Sequence, residues 1–300
     1  MSDMSIDQVR QLCGKYNVVG ESPLWDARTQ SLFWVDIPER TICNWNEDGQ
    51  VFRSWLAPEM VACIALAADG RLVAGMETGI FLLQLKLDGH AEAHKLAHVD
   101  HADAPMRFND GRCDRQGRFW AGTMHLDMSL GRTSGVVYRF DERGLHAQID
   151  QMIVPNGMAW SPDGRTMYLS DSHPSVQTIW AFDYDIHDGV ASKRRVFVDM
   201  RDYPGRPDGA AVDEDGCYWI CGNDAGLVHR FTPAGRLDRS VALPVKKPAM
   251  CSFGGPGLDT LFVTTIRPGD ASVETEQALA GSVFAFNPGV KGMAEHPLKV

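Results

Sequence analysis

"RFNDGRCDRQGRFWAGTM" (residues 107–124) reads as two short strands joined by a polar turn that ends at Gly117. Arg107, Asn109 and Asp110 crowd the start of the first strand, where a simple hairpin needs no charge. The same layout recurs along the chain. Short apolar runs such as "SLFWVDI", "RLVAGM", "TMYLSD", "CYWICG" and "TLFVTTI" each follow a turn, several of them containing Asp-Gly. The turns centre near Thr29, Gly70, Gly117, Gly164, Gly216 and Gly257, at steps of 41, 47, 47, 52 and 41 residues. A period of roughly 40 to 50 residues, about four strands each, marks a β-propeller blade. Six turns predict an all-β, six-bladed β-propeller. No linker, low-complexity tract or composition break divides the chain, so residues 1–300 are expected to form one domain. Helical periodicity is confined to a short turn expected around Ile6 to Leu12.

Composition sets outer bounds on function. The 300 residues are 44% hydrophobic and 23% charged, an ordinary globular mixture with material for a core. A formal charge of −10 disfavours nonspecific binding to nucleic acid or anionic lipid, because both need a basic footprint. No apolar run approaches the roughly 18 residues of a membrane span. The N-terminal "MSDMSIDQVRQLCGKY" is too polar for a signal peptide, which points to a cytoplasmic protein. The seven scattered cysteines are expected to be free buried thiols in a reducing compartment. Cys217 and Cys221 in "CYWIC" fall on one face of a strand and have no second pair to complete a metal site.

Eight residues before each turn stand Glu21, Ala62, Asn109, Asn156, Asp208 and Ala249. Blades are related by rotation about the propeller axis, so six matched positions at the start of the innermost strands form a ring at one mouth of the channel. Four of the six bear side-chain oxygens. Asn-Gly, Asn-Asp and Asp-Gly also serve as turn builders; Glu21, a poor turn residue in the same register, is not explained that way. Two carboxylates converging on a narrow channel repel unless a cation or proton sits between them. Carboxylate and amide oxygens are hard ligands suited to calcium, magnesium or manganese, with zinc also compatible. Glu21, Asn156 and Asp208 would leave coordination positions open for water and substrate, the arrangement that metal-assisted hydrolysis requires.

"GESPLWD", "RFNDGRCDRQGRFWAGTM", "PNGMAWSPDG" and "RPDGAAVD" together resemble the senescence-marker-protein/gluconolactonase (regucalcin-like) family, from about Glu21 to about Thr265. The resemblance implies a six-bladed propeller with one divalent metal ion and, in many members, hydrolysis of a sugar lactone in carbohydrate metabolism. It implies Glu21, Asn156 and Asp208 as metal ligands, Asp208 also as general base, and Arg107 and Asn109 as substrate contacts. A substrate-contacting Glu of the family is matched here by Asp127, in "HLDMSLGRTSG", which leaves the sugar undetermined. A propeller that binds a divalent ion such as calcium without turnover is the alternative.

Other clusters carry less. His90, His94, His98 and His101 in "HAEAHKLAHVDH" are expected on a solvent-facing outer strand and its loop, "SKRR" (192–195) in a solvated loop. Trp25, Trp34, Trp120, Trp160, Trp180 and Trp219 are expected to fill the space between blades.

Overall fold

The computed structural model describes residues 9–46, 49–269 and 278–299. Six four-stranded antiparallel sheets stand around a common axis. Blade 1 runs outward from Gly20–Asp26 through Ser31–Asp36 and Thr41–Asn46 to Val51–Leu56. Blades 2 to 5 repeat this order, their innermost strands being Val61–Leu66, Met106–Cys113, Pro155–Trp160 and Arg206–Val212. Blade 6 closes the ring from both ends of the chain. Pro248–Gly254, Thr260–Thr265 and Phe284–Phe286 take Arg10–Gln11 as their outermost strand. Arg10 pairs with Ala285 and Gln11 with Phe284. The short turn expected near Ile6 to Leu12 is therefore corrected for its described part, which is strand; Ile6 lies outside the described residues.

Burial follows the radial order. Every residue of Val61–Leu66 and of Pro248–Gly254 is buried, whereas Val51–Leu56 is largely exposed. An inner strand is covered by both neighbouring blades, so alternation is lost there and the strand reads as a continuous apolar run. Aromatic side chains fill the wedge between blades: Trp120, Trp160 and Tyr184 meet pairwise at 5.7–6.0 Å between ring centroids. Trp34, Trp120 and Trp219 are wholly buried, and Trp180 is half-buried under the Arg194 guanidinium at 3.6 Å. All seven cysteines are free, six of them buried.

The histidine stretch lies as expected, along the outer strand Ala91–His98 of blade 2, with His98 facing Asp100 in solvent. "SKRR" does not form a loop. It belongs to the outer strand Val190–Asp199 of blade 4, where Lys193 and Arg195 both pair with Asp183 across the sheet.

The far end of the channel is crossed by residues 291–299. Glu214 N–H donates to Lys291, Gly292 N–H to Leu258 and Leu298 N–H to Leu66, while Arg112 pairs with Glu295 at 3.5 Å. The ring residues sit at the opposite mouth. Among the described residues, no helix is long and apolar enough to cross a membrane.

Candidate active site at the channel mouth

All six innermost strands break register where the ring was expected. The breaks fall between Glu21 and Leu24, Val61 and Cys63, Phe108 and Gly111, Asn156 and Ala159, Pro207 and Ala210, and Pro248 and Cys251. A bulge re-aims one side chain and interrupts regular pairing: Asn109 and Asp208 fall inside the break, and Glu21 and Asn156 are the last paired residues before it. In blade 4 the residue after the ring position is Gly157, with φ +64°. A methyl group there would stand 2.4 Å from Tyr218 Oη and 2.8 Å from Ser170 Oγ. Turn chemistry and site chemistry coincide: the Asn-Gly pair makes the bulge that presents Asn156.

Side chains from blades 3 and 4 then join in one hydrogen-bonded chain that ends on a carbonyl of blade 5. Arg107 Nη1 donates to Asn109 Oδ1 at 2.8 Å and to the Phe108 carbonyl at 2.7 Å. Asn109 Nδ2 donates to Asn156 Oδ1 at 3.0 Å and to the Pro155 carbonyl at 3.1 Å. Asn156 Nδ2 donates to Ser172 Oγ at 2.6 Å, and Ser172 Oγ donates to the Pro207 carbonyl. Asp208 follows, its Oδ2 accepting from Asn223 Nδ2 at 2.6 Å. From blade 1, Glu21 Oε2 accepts the Ser22 N–H at 3.2 Å. Arg107, Asn109, Asn156 and Asp208 are thus brought together, and Glu21 lies within electrostatic reach of Asp208 and Arg107. Asp127 is placed differently. It caps the short 3₁₀ turn Met128–Leu130 at the exposed rim, with Oδ1 accepting the Ser129 N–H at 3.0 Å and its hydroxyl at 2.6 Å.

Ser172 and Asn223 were not legible as site residues. Each stands at or just past the end of a second strand and reaches the ring from beside the inner one, so no fixed spacing flags it. Asp110 is also buried here, with Oδ2 accepting the Met158 N–H at 2.9 Å and Oδ1 without a partner among the described residues.

The electrostatics favour a cation. Burial raises Glu21 well above the usual carboxylate range, and the charges of Asp208 and Asp110 push it further; the Ser22 N–H and Arg107 oppose them. Burial likewise pushes Asp208 up to about 7, against the Asn223 hydrogen bond and the Arg206 charge. Buried Oδ1 of Asn223 has no partner among the described residues either. No three His, Cys, Asp or Glu side chains among the described residues cluster as a metal site; a cation between Glu21 and Asp208 would take the Asn156 amide oxygen as a third donor. Two repelling carboxylates and an oriented amide oxygen are a donor set that fits a hard divalent ion.

This reading predicts a pH effect in chelated protein. A carboxylate whose pKa rises from about 4 unfolded to about 7 folded contributes stability below the lower value and loses it as pH rises through the higher one. Asp208→Asn should therefore gain Tm over wild type as pH rises from about 5 to 8. Thermal melts with chelator check this; a difference that shrinks with rising pH contradicts it.

Residues 19–267 match the family model described as SMP-30/Gluconolactonase/LRE-like region. The chain belongs to this SMP-30/gluconolactonase family. A 6-deoxy-6-sulfogluconolactonase of Pseudomonas putida is 37% identical over 283 residues, covering 93% of this chain and 94% of that protein. Regucalcin of Bos taurus is 34% identical over 285 residues, with 93% and 94% covered. Among solved SMP-30/gluconolactonase-like structures, a calcium-binding regucalcin from Agrobacterium tumefaciens superposes with a TM-score of 0.89 at 25% identity, over 97% of each chain.

Proposed function

We propose that the protein is a divalent-metal-dependent lactonase, a carboxylic ester hydrolase that opens a sugar aldonolactone to its aldonic acid in sugar catabolism. The observation that carries this reading is the hydrogen-bonded chain from Arg107 to Ser172 at the mouth where Glu21 and Asp208 stand as buried carboxylates within electrostatic reach of Arg107. Relatives named as a sulfogluconolactonase and as gluconolactonases support the chemistry.

Glu21, Asn156 and Asp208 would hold the ion, whether calcium, zinc, manganese or magnesium. When bound, it supplies a Lewis acid that stabilises charge developing on the lactone carbonyl oxygen. Arg107 uses Nη1 on its own neighbours, and its Nε and Nη2 donate to no group among the described residues, leaving them to orient the lactone oxygens. Asn109 holds Arg107 and Asn156 in register and can contact a sugar hydroxyl only by exchanging one of those bonds. Asp127, at the rim, retains one carboxylate oxygen for a distal hydroxyl. Asp208 takes a proton from the attacking water as its oxygen bonds to the carbonyl carbon. The ring C–O bond then breaks, and that proton passes to the departing oxygen, giving acid and hydroxyl.

Acid release from a panel of aldonolactones tests the proposal. Wild type should hydrolyse at least one. Arg107→Ala should lose about 10- to 150-fold in kcat/KM, the worth of one charge-assisted hydrogen bond, while ion binding by calorimetry persists. A calcium-binding regucalcin among the solved relatives is compatible with a second reading, ion binding without turnover; binding with no acid release from any lactone would establish it instead.

A further inference from the structure

Two residues before each ring position stand Val19, Met60, Arg107, Val154, Arg206 and Lys247. Three of the six are cationic, in a chain whose net charge is −10. Arg107 is taken up by the reading above; Arg206 and Lys247, on the adjacent blades 5 and 6, are not. They converge on a single carboxylate. Arg206 Nε donates to Asp224 Oδ2 at 2.7 Å, and Lys247 Nζ donates to Asp224 Oδ1 at 2.7 Å. One negative charge between two positive ones leaves the trio a net positive charge. Arg206 Nη1 also donates to the Ser172 carbonyl at 3.3 Å, which ties the trio to the hydrogen-bonded chain of the site.

The trio borders the site: Arg206 and Asp224 both lie within electrostatic reach of Asp208. Side-chain exposures are 21% for Arg206, 32% for Lys247 and 44% for Asp224. Asp224 adopts φ +75°, a left-handed backbone rarely taken by a residue with a side chain, so its carboxylate is presented at a conformational cost. A clamp between blades needs one cation per carboxylate, and exposed pairs contribute little stability. The second cation is surplus to that role. The side of the mouth formed by blade 2 has the opposite character: Glu59 and Glu77 stand there, accepting from the Thr78 and Met60 N–H groups. A ligand with an anionic end would be repelled from blade 2 and drawn to blades 5 and 6.

We propose that Arg206 and Lys247 form an anion subsite, receiving a sulfonate, phosphate or carboxylate carried by the lactone at a position remote from its carbonyl. The inference rests on the lactonase reading and narrows its substrate class to acidic sugar lactones. Lys247 retains N–H donors beyond the one given to Asp224, and Arg206 retains Nη2 beyond the Nε and Nη1 given to Asp224 and the Ser172 carbonyl.

The test compares kcat/KM for D-glucono-1,5-lactone with that for the same lactone bearing phosphate, sulfonate or carboxylate at C6. At least one charged lactone should be preferred by about tenfold or more, and the preference should shrink as salt is added. The charged-to-neutral ratio should fall about tenfold in Arg206→Gln and in Lys247→Gln, survive in Arg206→Lys, and rise in Asp224→Asn. A purely structural trio would leave the ratio unmoved in all four variants. That result, with both lactones hydrolysed, overturns the subsite and spares the lactonase reading. Hydrolysis of neither lactone overturns the subsite, and refusal of the whole aldonolactone panel overturns the lactonase reading with it.

Discussion

Asp208→Asn should lower turnover by about 10²- to 10⁴-fold even at saturating metal, the usual contribution of a positioned acid–base group. The substitution keeps the side chain's size and one coordinating oxygen but removes a charge and the proton acceptor. Asn223 Nδ2 now donates to Asp208 Oδ2, and an amide oxygen in the same place can still accept that bond. Folding should therefore be preserved. Ion affinity should weaken as well, because the ring falls from two carboxylates to one. Glu21→Gln makes the same charge change without removing the base. Excess metal should restore Glu21→Gln substantially and Asp208→Asn little. Equal recovery of both variants would reduce Asp208 to a ligand.

Gly157→Ala carries the second large effect, and it acts through geometry alone. Its φ of +64° is unfavourable for alanine, and the added carbon meets Tyr218 Oη at 2.4 Å. Tyr218 Oη donates to the Gly157 carbonyl at 2.7 Å and is wholly buried, so it has little room to retreat. Backbone strain of about 1–3 kcal/mol adds to about 1–3 kcal/mol for a disturbed buried hydrogen bond. Displacing the neighbouring Asn156 by an ångström would cost on the order of 10²-fold in rate. Thermal melts and lactone kinetics should thus fall together. A variant with wild-type Tm and activity would show that the bulge does not hold Asn156.

The propeller and the ring were readable because both are periodic. A blade repeats its turn, and Asn109, Asn156 and Asp208 keep a constant offset from it, so phase alone exposes them. What escaped notice lacks that phase. Asn223 reaches Asp208 from a neighbouring strand of blade 5, where Arg206 pairs with Asn223; cross-strand proximity leaves no trace in spacing. The Arg10–Gln11 strand is two residues long, and its partner lies near the opposite end of the chain. "SKRR" puts charge on both faces of an outer strand, since neither face is covered, and so shows no alternation. Asp127 matches a substrate contact by its place in the sequence, and its partners in the structure are those of a 3₁₀ cap, which spacing alone does not reveal.

Titration of metal into chelated protein tests most directly whether Glu21, Asn156 and Asp208 form the proposed cation-assisted lactonase site. Acid release from a hydrolysed lactone should be absent after chelation and return in proportion to the ion added, saturating at one per chain. Tm should rise over the same titration, by about 2.7 kcal/mol of stability at a hundredfold excess over Kd. Full lactone hydrolysis by protein that elemental analysis finds metal-free would contradict the account.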